Sequence, residues 1–456
     1  MRKASKESVS QYDKMTKTPV SSLVLSLSVP TIISMLVTNI YNLVDTAFVG
    51  RLGTSASGAV GVVFGFMSII QAFGFMLGQG SGSILSRALG RKDLETATKH
   101  TSTGFYASIL FGLLISAAGF IWLDEIVVLL GSTPTIAPFA KTYITYILIS
   151  APFMCSSLML NNVLRYEGRA VLGTIGLMTG AILNMITDPI LMFGLGMGIA
   201  GAGLSTAISQ VVSWGILIAM FLTGRTQTKI SLKQTAFLTP RVLLNIMATG
   251  FPSLLRQGLN SMNTMILNLQ CAPYGDAAVA AMSIVSRIIF FSFSLAIGIG
   301  QGFQPVSGFN YGAKHYERLR KAYLFTIKLS EGVIVVASAL LIIFSGDLIQ
   351  IFRDDPQVIL IGTRALRLQA AAQLFLPPCA ATEMLFQSTG HRVGATILSA
   401  LRSGLLFIPA LLILSSLRGL SGIQEAQPLA YVLSFPLIIP FAVHFFHSLD
   451  MENCAD

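Results

Sequence analysis

Two carboxylates stand inside long apolar stretches: Asp45 in PTIISMLVTNIYNLVDTAFVG and Asp188 in TIGLMTGAILNMITDPILMFGLG. On insertion scales a charge at the centre of a membrane-spanning helix costs at least about 2.5–3.5 kcal/mol, so such residues are functional by default. Thr38, Tyr41, Asn42 and Asp45 fall at i, i+3, i+4 and i+7, which places them on one face of a helix. Asn184 and Asp188 are four apart and also share a face. Pro189 follows directly, and its ring removes the backbone hydrogen bond to the carbonyl of Met185. A freed carbonyl beside a carboxylate in a kinked helix is a place for a proton or a small cation, and Thr206 in the next stretch adds a hydroxyl. The structural alternative is a pair of acids neutralised by arginine, but no Lys or Arg lies inside the apolar stretches of the first half to pair with them.

The elements that position these residues must be membrane helices. Of 456 residues, 53% are hydrophobic and only 11% charged, against about 25% charged in soluble proteins; the mean hydropathy is +0.72. The apolar runs are roughly 20 residues long, the length that spans about 30 Å of hydrocarbon. About twelve spans are predicted, from 27–48 to 424–447, giving an all-α integral membrane protein. Most Lys and Arg cluster in the N-terminal tail (Arg2, Lys3, Lys6, Lys14, Lys17) and in alternate loops, such as Arg87, Arg91, Lys92 and Lys99 or Lys314, Arg318, Arg320 and Lys321. By the positive-inside rule both termini are expected on the cytoplasmic side of a bacterial cell membrane. The net charge of +10 then reflects topology and attraction to anionic lipid rather than nucleic acid. No cleavable leader is visible before the first span. Cys155, Cys271, Cys379 and Cys454 are scattered without metal or redox spacing. Gly78-Gln79-Gly80-Ser81-Gly82 lacks the Lys-Ser/Thr of a phosphate loop. Neither a cofactor nor an enzymatic constellation is expected, and a membrane-embedded transferase would need clustered His, Asp or Cys that the chain does not show.

Shifting the chain by 222 residues superposes it on itself: Pro30 on Pro252, Gly53 on Gly275, Gly78-Gln79-Gly80 on Gly300-Gln301-Gly302, Pro134 on Pro356 and Gly168 on Gly390. Two six-helix halves follow, 20–223 and 242–447, with a cytoplasmic tail at 1–19, a cytoplasmic linker at 224–241 and a tail at 448–456. An even number of helices per half makes the repeats parallel and related by a pseudo-two-fold axis, the plan of transporters rather than of channels. The shift carries the polar stripe of the first helix onto Asn260, Asn263, Thr264 and Leu267, so the stripe survives and the carboxylate does not. The second half has its own charges, Arg256, Arg287, Glu383 and Arg402. Glu383, the repeat mate of Asn161, reads either as an Arg–Glu structural pair or as part of a substrate or second proton site.

Taken together, Asn39-Ile-Tyr-Asn-Leu-Val-Asp-Thr-Ala-Phe-Val-Gly50, the repeated Gly-Gln-Gly, Gln304-Pro through Asn310-Tyr-Gly-Ala313 and Asn184-Met-Ile-Thr-Asp-Pro189 resemble the multidrug and toxic compound extrusion (MATE) family over roughly 25–447. The Asn184/Asp188 pair looks like its DinF-like branch of bacterial multidrug exporters. The resemblance implies a V-shaped pair of six-helix bundles, active as a monomer, that exports organic cations and other amphipathic drugs in exchange for H⁺ or Na⁺. It maps the ion-coupling site to Asp45, Asn184, Asp188 and Thr206 with the carbonyl of Ala202. It maps a polar substrate cavity to Tyr41, Asn42 and Asn161, with Asn260, Asn263, Arg256 and Glu383 as candidates in the second half. No resident metal is implied, Na⁺ at the coupling residues being the one ion these oxygens could hold. Leu267 and Gln257 stand where branches with a second acidic site carry their acid. A flippase for lipid-linked oligosaccharides, kept open by Arg256, Arg287 and Arg402, is the alternative reading.

Overall fold

In hydrocarbon each backbone polar group must be satisfied within its own segment, so apolar runs of this length fold as helices. The structure, a computed structural model, describes residues 11–234 and 240–455. Arg2, Lys3 and Lys6 of the basic tail, positions 235–239 of the linker and Asp456 lie outside the described residues. Among the described residues there is no strand. The first half contains α1 (Val20–Gly50), α2 (Thr54–Gly90), α3 (Leu94–Ile121), α4 (Ala137–Tyr166), α5 (Ala170–Pro189) and α6 (Ile199–Leu222). The second contains α7 (Pro240–Cys271), α8 (Asp276–Gly312), α9 (Tyr316–Ile343), a broken α10 (Pro356–Ala372 and Leu376–Thr389), a broken α11 (Arg392–Ala400 and Phe407–Arg418) and α12 (Leu420–Ala455). Ten of these are long and apolar enough to cross a membrane by themselves; α7, with its polar stripe, and the broken α10 complete the twelve.

The repeat is visible in the backbone. The ends of α2 and α3 recur, shifted by 222 residues, as the ends of α8 and α9. Lys92 and Lys314, the two described non-glycine residues at positive φ, hold the same place in the two halves at φ 61° and 59°. Gly53 and Gly275 precede α2 and α8 at φ 116° and 88°, a conformation that side chains other than glycine rarely adopt.

The contacts divide the chain into two compact units that do not follow a single cut in the sequence. One comprises Met1–Lys17 with Ile33–Leu254, the other Thr18–Ile32 with Leu255–Asp456. Each half thus lends the start of its first helix to the other unit. The repeated Gly-Gln-Gly is where these borrowed segments pack. A Cβ on Gly80 would lie 2.1 Å from the Ile246 carbonyl oxygen of α7, and one on Gly302 would lie 2.6 Å from the Ser28 Cα of α1. The glycines permit close helix crossing, the usual means of association where lipid supplies no hydrophobic drive between helices. Outward faces of α3 and α9 carry exposed Leu113, Leu114, Leu340 and Ile343, as lipid contact requires.

In the first unit the beginning of the linker is tied down. The buried carboxylate of Glu167, just past α4, accepts hydrogen bonds from the Gln227 amide (3.1 Å), the Thr228 amide (2.9 Å) and the Thr228 hydroxyl. The Ser102 hydroxyl donates to the Lys229 carbonyl and accepts from the Ser231 amide, 3.1 and 3.0 Å.

Candidate functional site

The local fold around Asp188 follows from Pro189. The α-helical path of α5 stops there, and residues Ile190–Gly194 continue as a π turn in which the Leu195 amide donates to the Ile190 carbonyl at 2.9 Å. The chain reverses through Gly198, whose φ of 57° suits glycine, and α6 begins one residue later. Gly201 then packs directly on the π turn, since a Cβ there would meet the Leu191 carbonyl carbon at 2.7 Å. The end of α5 and the start of α6 are thereby clamped together, and π turns of this kind are frequent at functional sites.

That clamp builds a polar cluster. The Asn184 side-chain amide donates to Asp188 Oδ1 (3.3 Å), Ser205 Oγ (3.1 Å) and Thr206 Oγ1 (3.4 Å). The Thr187 and Ser205 hydroxyls are 2.5 Å apart. Asp45 enters from α1, within electrostatic range of Asp188. Tyr41, half-buried one turn earlier, sits within electrostatic range of both acids. Tyr143 of α4 closes the cluster with its hydroxyl reaching Thr206. Asp188 is 0% and Asp45 8% exposed. Three oxygens, Asp45 Oδ1, Asp188 Oδ2 and Asn184 Oδ1, are buried without a hydrogen-bond donor. Burying carboxylate oxygens uncompensated is expensive; a cation held among the three would satisfy them all, and a proton bound to one would serve two of them.

The structure therefore brings Asp45, Asn184, Asp188, Thr206 and Tyr41 together. Ala202 is fully buried one turn before Thr206 on α6. Asn42 is half-buried beside them on α1, with its carbonyl accepting from Thr46 at 2.8 Å. Asn161 sits elsewhere: its side chain packs on Gly173, eleven residues before Asn184 on α5 and so roughly 16 Å along the helix at about 1.5 Å per residue. Sequence reasoning missed Tyr143, Thr187 and Ser205. Thr187 follows Asn184 by three residues and shares its face, a signal that was readable; the approach of Tyr143 from α4 carried none.

In the second unit Glu383 of α10 is 1% exposed and held by two guanidiniums. Arg256 Nη1 of α7 donates to Oε1 at 2.8 Å and Arg402 Nη2 of α11 to Oε2 at 3.1 Å. Ser399 donates to Oε1 at 2.5 Å. The Asn263 amide donates to the Ser403 carbonyl within a second π turn, Leu401–Leu405. Asn260 is exposed on α7, and so is Arg287 on α8. Leu267, the repeat mate of Asp45, is buried in the apolar core with Val285, Phe407 and Leu411.

The MatE family profile matches the chain twice, over residues 30–190 and 252–413. The chain belongs to the MatE family. It is a multi-pass membrane transporter, not an enzyme, and the two matches coincide with the two structural repeats. Among similar proteins, the multidrug export protein MepA of Staphylococcus haemolyticus (strain JCSC1435) is 27% identical over 88% of each chain. MepA of Staphylococcus aureus (strain N315) is 29% identical over 89% of this MatE chain and 90% of its own length. A MOP superfamily transporter from Pyrococcus furiosus, described as having a binding pocket of reverse polarity, superposes with a TM-score of 0.91 at 25% identity, covering 96% of this chain and 98% of that one.

Proposed function

We propose that this protein is a secondary active antiporter that exports amphipathic organic cations and related drugs in exchange for H⁺ or Na⁺ bound at Asp45, Asn184, Asp188 and Thr206. The observation that carries the reading is the convergence of three unpartnered oxygens in a buried cluster of a transporter, beside a π turn. The MepA relatives support multidrug export as the transported class. When the cluster takes up a proton or Na⁺, its negative charge is neutralised and its hydrogen bonds re-form around Pro189; when the ion leaves, charge returns and a cationic substrate is favoured. Only a ligand with unequal affinity for two states can drive such a cycle, and mutually exclusive charge provides that inequality. Orientation follows from the basic loops: both termini cytoplasmic, in the cytoplasmic membrane, with the monomer as the working unit.

A flippase for lipid-linked oligosaccharides would recognise a pyrophosphate headgroup. The second-half arginines are the one feature favouring it, yet Glu383 already takes part of their charge and the acidic cluster would repel such a headgroup. The deciding experiment uses full-length protein in liposomes with ethidium and an imposed pH or Na⁺ gradient. Ethidium movement driven by one of the two gradients is expected. Movement driven by neither would overturn the reading.

A further inference from the structure

The second unit holds charge that the coupling cycle does not use. Arg256, Glu383 and Arg402 come from three helices, α7, α10 and α11, and no second carboxylate pairs with either guanidinium among the described residues. One carboxylate between two guanidiniums leaves a net single positive charge within membrane-spanning helices. Replacing buried ion pairs by apolar residues is often neutral or stabilising, so this arrangement is not explained by stability, and an uncompensated charge at such a position marks a function.

The geometry shows which side of the triad faces outward. Glu383 is 1% exposed, whereas the Arg256 and Arg402 side chains retain 12% and 13%. The carboxylate is the buried member of the group and the two arginines are the partly exposed ones, so a ligand that reaches it meets arginine side chains. Arg402 is further fixed by the Phe293 ring, 5.3 Å from its guanidinium carbon, and its Nε is buried without a partner. Arg256 continues the α7 stripe of Asn260, Asn263 and Thr264 one turn earlier, and the Asn263 side-chain oxygen is likewise buried without a donor. Guanidinium donors in a fixed, partly dehydrated pair suit a planar anion such as a carboxylate, which they bind by charge-assisted hydrogen bonds.

We infer that Arg256, Glu383 and Arg402 form a binding site for the carboxylate of a transported amphiphile, so that drugs carrying a carboxylate as well as an amine are held better than purely cationic ones. The inference rests on the export reading above and extends it to a substrate class. Glu383 has two parts in it: it holds the two guanidiniums in register, and it lowers their net charge to a level that lets the anion leave again.

The test is equilibrium dialysis of full-length protein in detergent against norfloxacin and norfloxacin ethyl ester, which differ in the carboxylate alone. The wild-type protein is expected to bind the acid about tenfold or more tightly than the ester. Arg402→Gln is expected to bring the ratio near one and Glu383→Gln to raise it; a mere folding defect would move both variants the same way. A wild-type ratio near one, or a ratio unchanged in Arg402→Gln, overturns the inference. So does stabilisation of the wild type by chloride over gluconate while acid and ester bind alike, which assigns the charge to an inorganic ion. Ethidium, which has no carboxylate, is moved by an ion gradient in the liposome experiment if the export reading holds, so the two readings fail separately.

Discussion

The fifth helix of each half interrupts its α-helical path with a π turn, Ile190–Gly194 in α5 and Leu401–Leu405 in α11. Each interruption has a polar cluster beside it. In the first half the cluster is acidic, with Asp45 and Asp188 within electrostatic range of each other and oxygens left without donors. In the second it is basic, with two arginines around one glutamate and the position equivalent to Asp45 occupied by Leu267 in the apolar core. The repeat has thus preserved the helix scaffold, down to the positive-φ lysines at 92 and 314, while the chemistry has diverged to opposite sign. Duplicated scaffolds of this kind let one half specialise for an ion and the other for something else.

The comparison breaks most visibly in transport. Asp188→Asn keeps the side-chain shape but removes the titratable, charged oxygen, and ion-driven ethidium efflux should fall by about tenfold or more; efflux at wild-type rates would remove the distinction between the halves. The next effect is on stability. Glu383→Gln leaves two guanidiniums without their counter-charge, a loss of about 3–5 kcal/mol that should appear as a clear drop in melting temperature, much larger than that of Asp188→Asn. Equal drops would mean that the second cluster is not an ion pair in the sense described.

Smaller effects probe the shared scaffold. Gly80→Ala and Gly302→Ala each place a methyl against backbone, at 2.1 Å from Ile246 O and 2.6 Å from Ser28 Cα, and should cost about 1–3 kcal/mol apiece; a cost in one half alone would show that the crossings are not equivalent. Smallest is the cap of α3. The Thr96 side chain and, at 3.0 Å, its amide hydrogen-bond the Asp93 carboxyl and hold it below the usual carboxylate range, whereas His315 caps α9 without a side-chain bond. Asp93→Ala should lower stability by about 1 kcal/mol and His315→Ala by less, as read from thermal unfolding.

Much of this was legible in the residues because membrane solvent simplifies the code. Apolar runs announce helices, and a carboxylate within one announces itself by its cost, so Asp45 and Asp188 needed no fold to be found. Period arguments placed Asn184 with Asp188, and the repeat offset of 222 located Leu267. What stayed hidden were approaches from other helices, such as Tyr143 of α4 reaching Thr206 and Ser399 reaching Glu383, because spacing reports faces and not which faces meet. Asn161 shows the converse: it is polar and lies in a helix, yet it packs on Gly173. The exchange of helix starts between units was equally unreadable, since nothing local separates Ile32 from Ile33.

The claim that ion coupling resides at Asp45 and Asp188 is tested most directly by ethidium binding to purified full-length protein, titrated against pH without Na⁺ and against Na⁺ at fixed pH. The affinity of the wild type should weaken as protons or Na⁺ are added, and the dependence should flatten in both Asp45→Asn and Asp188→Asn. A dependence that persists undiminished in both variants would contradict the account and place the coupling site elsewhere in the chain.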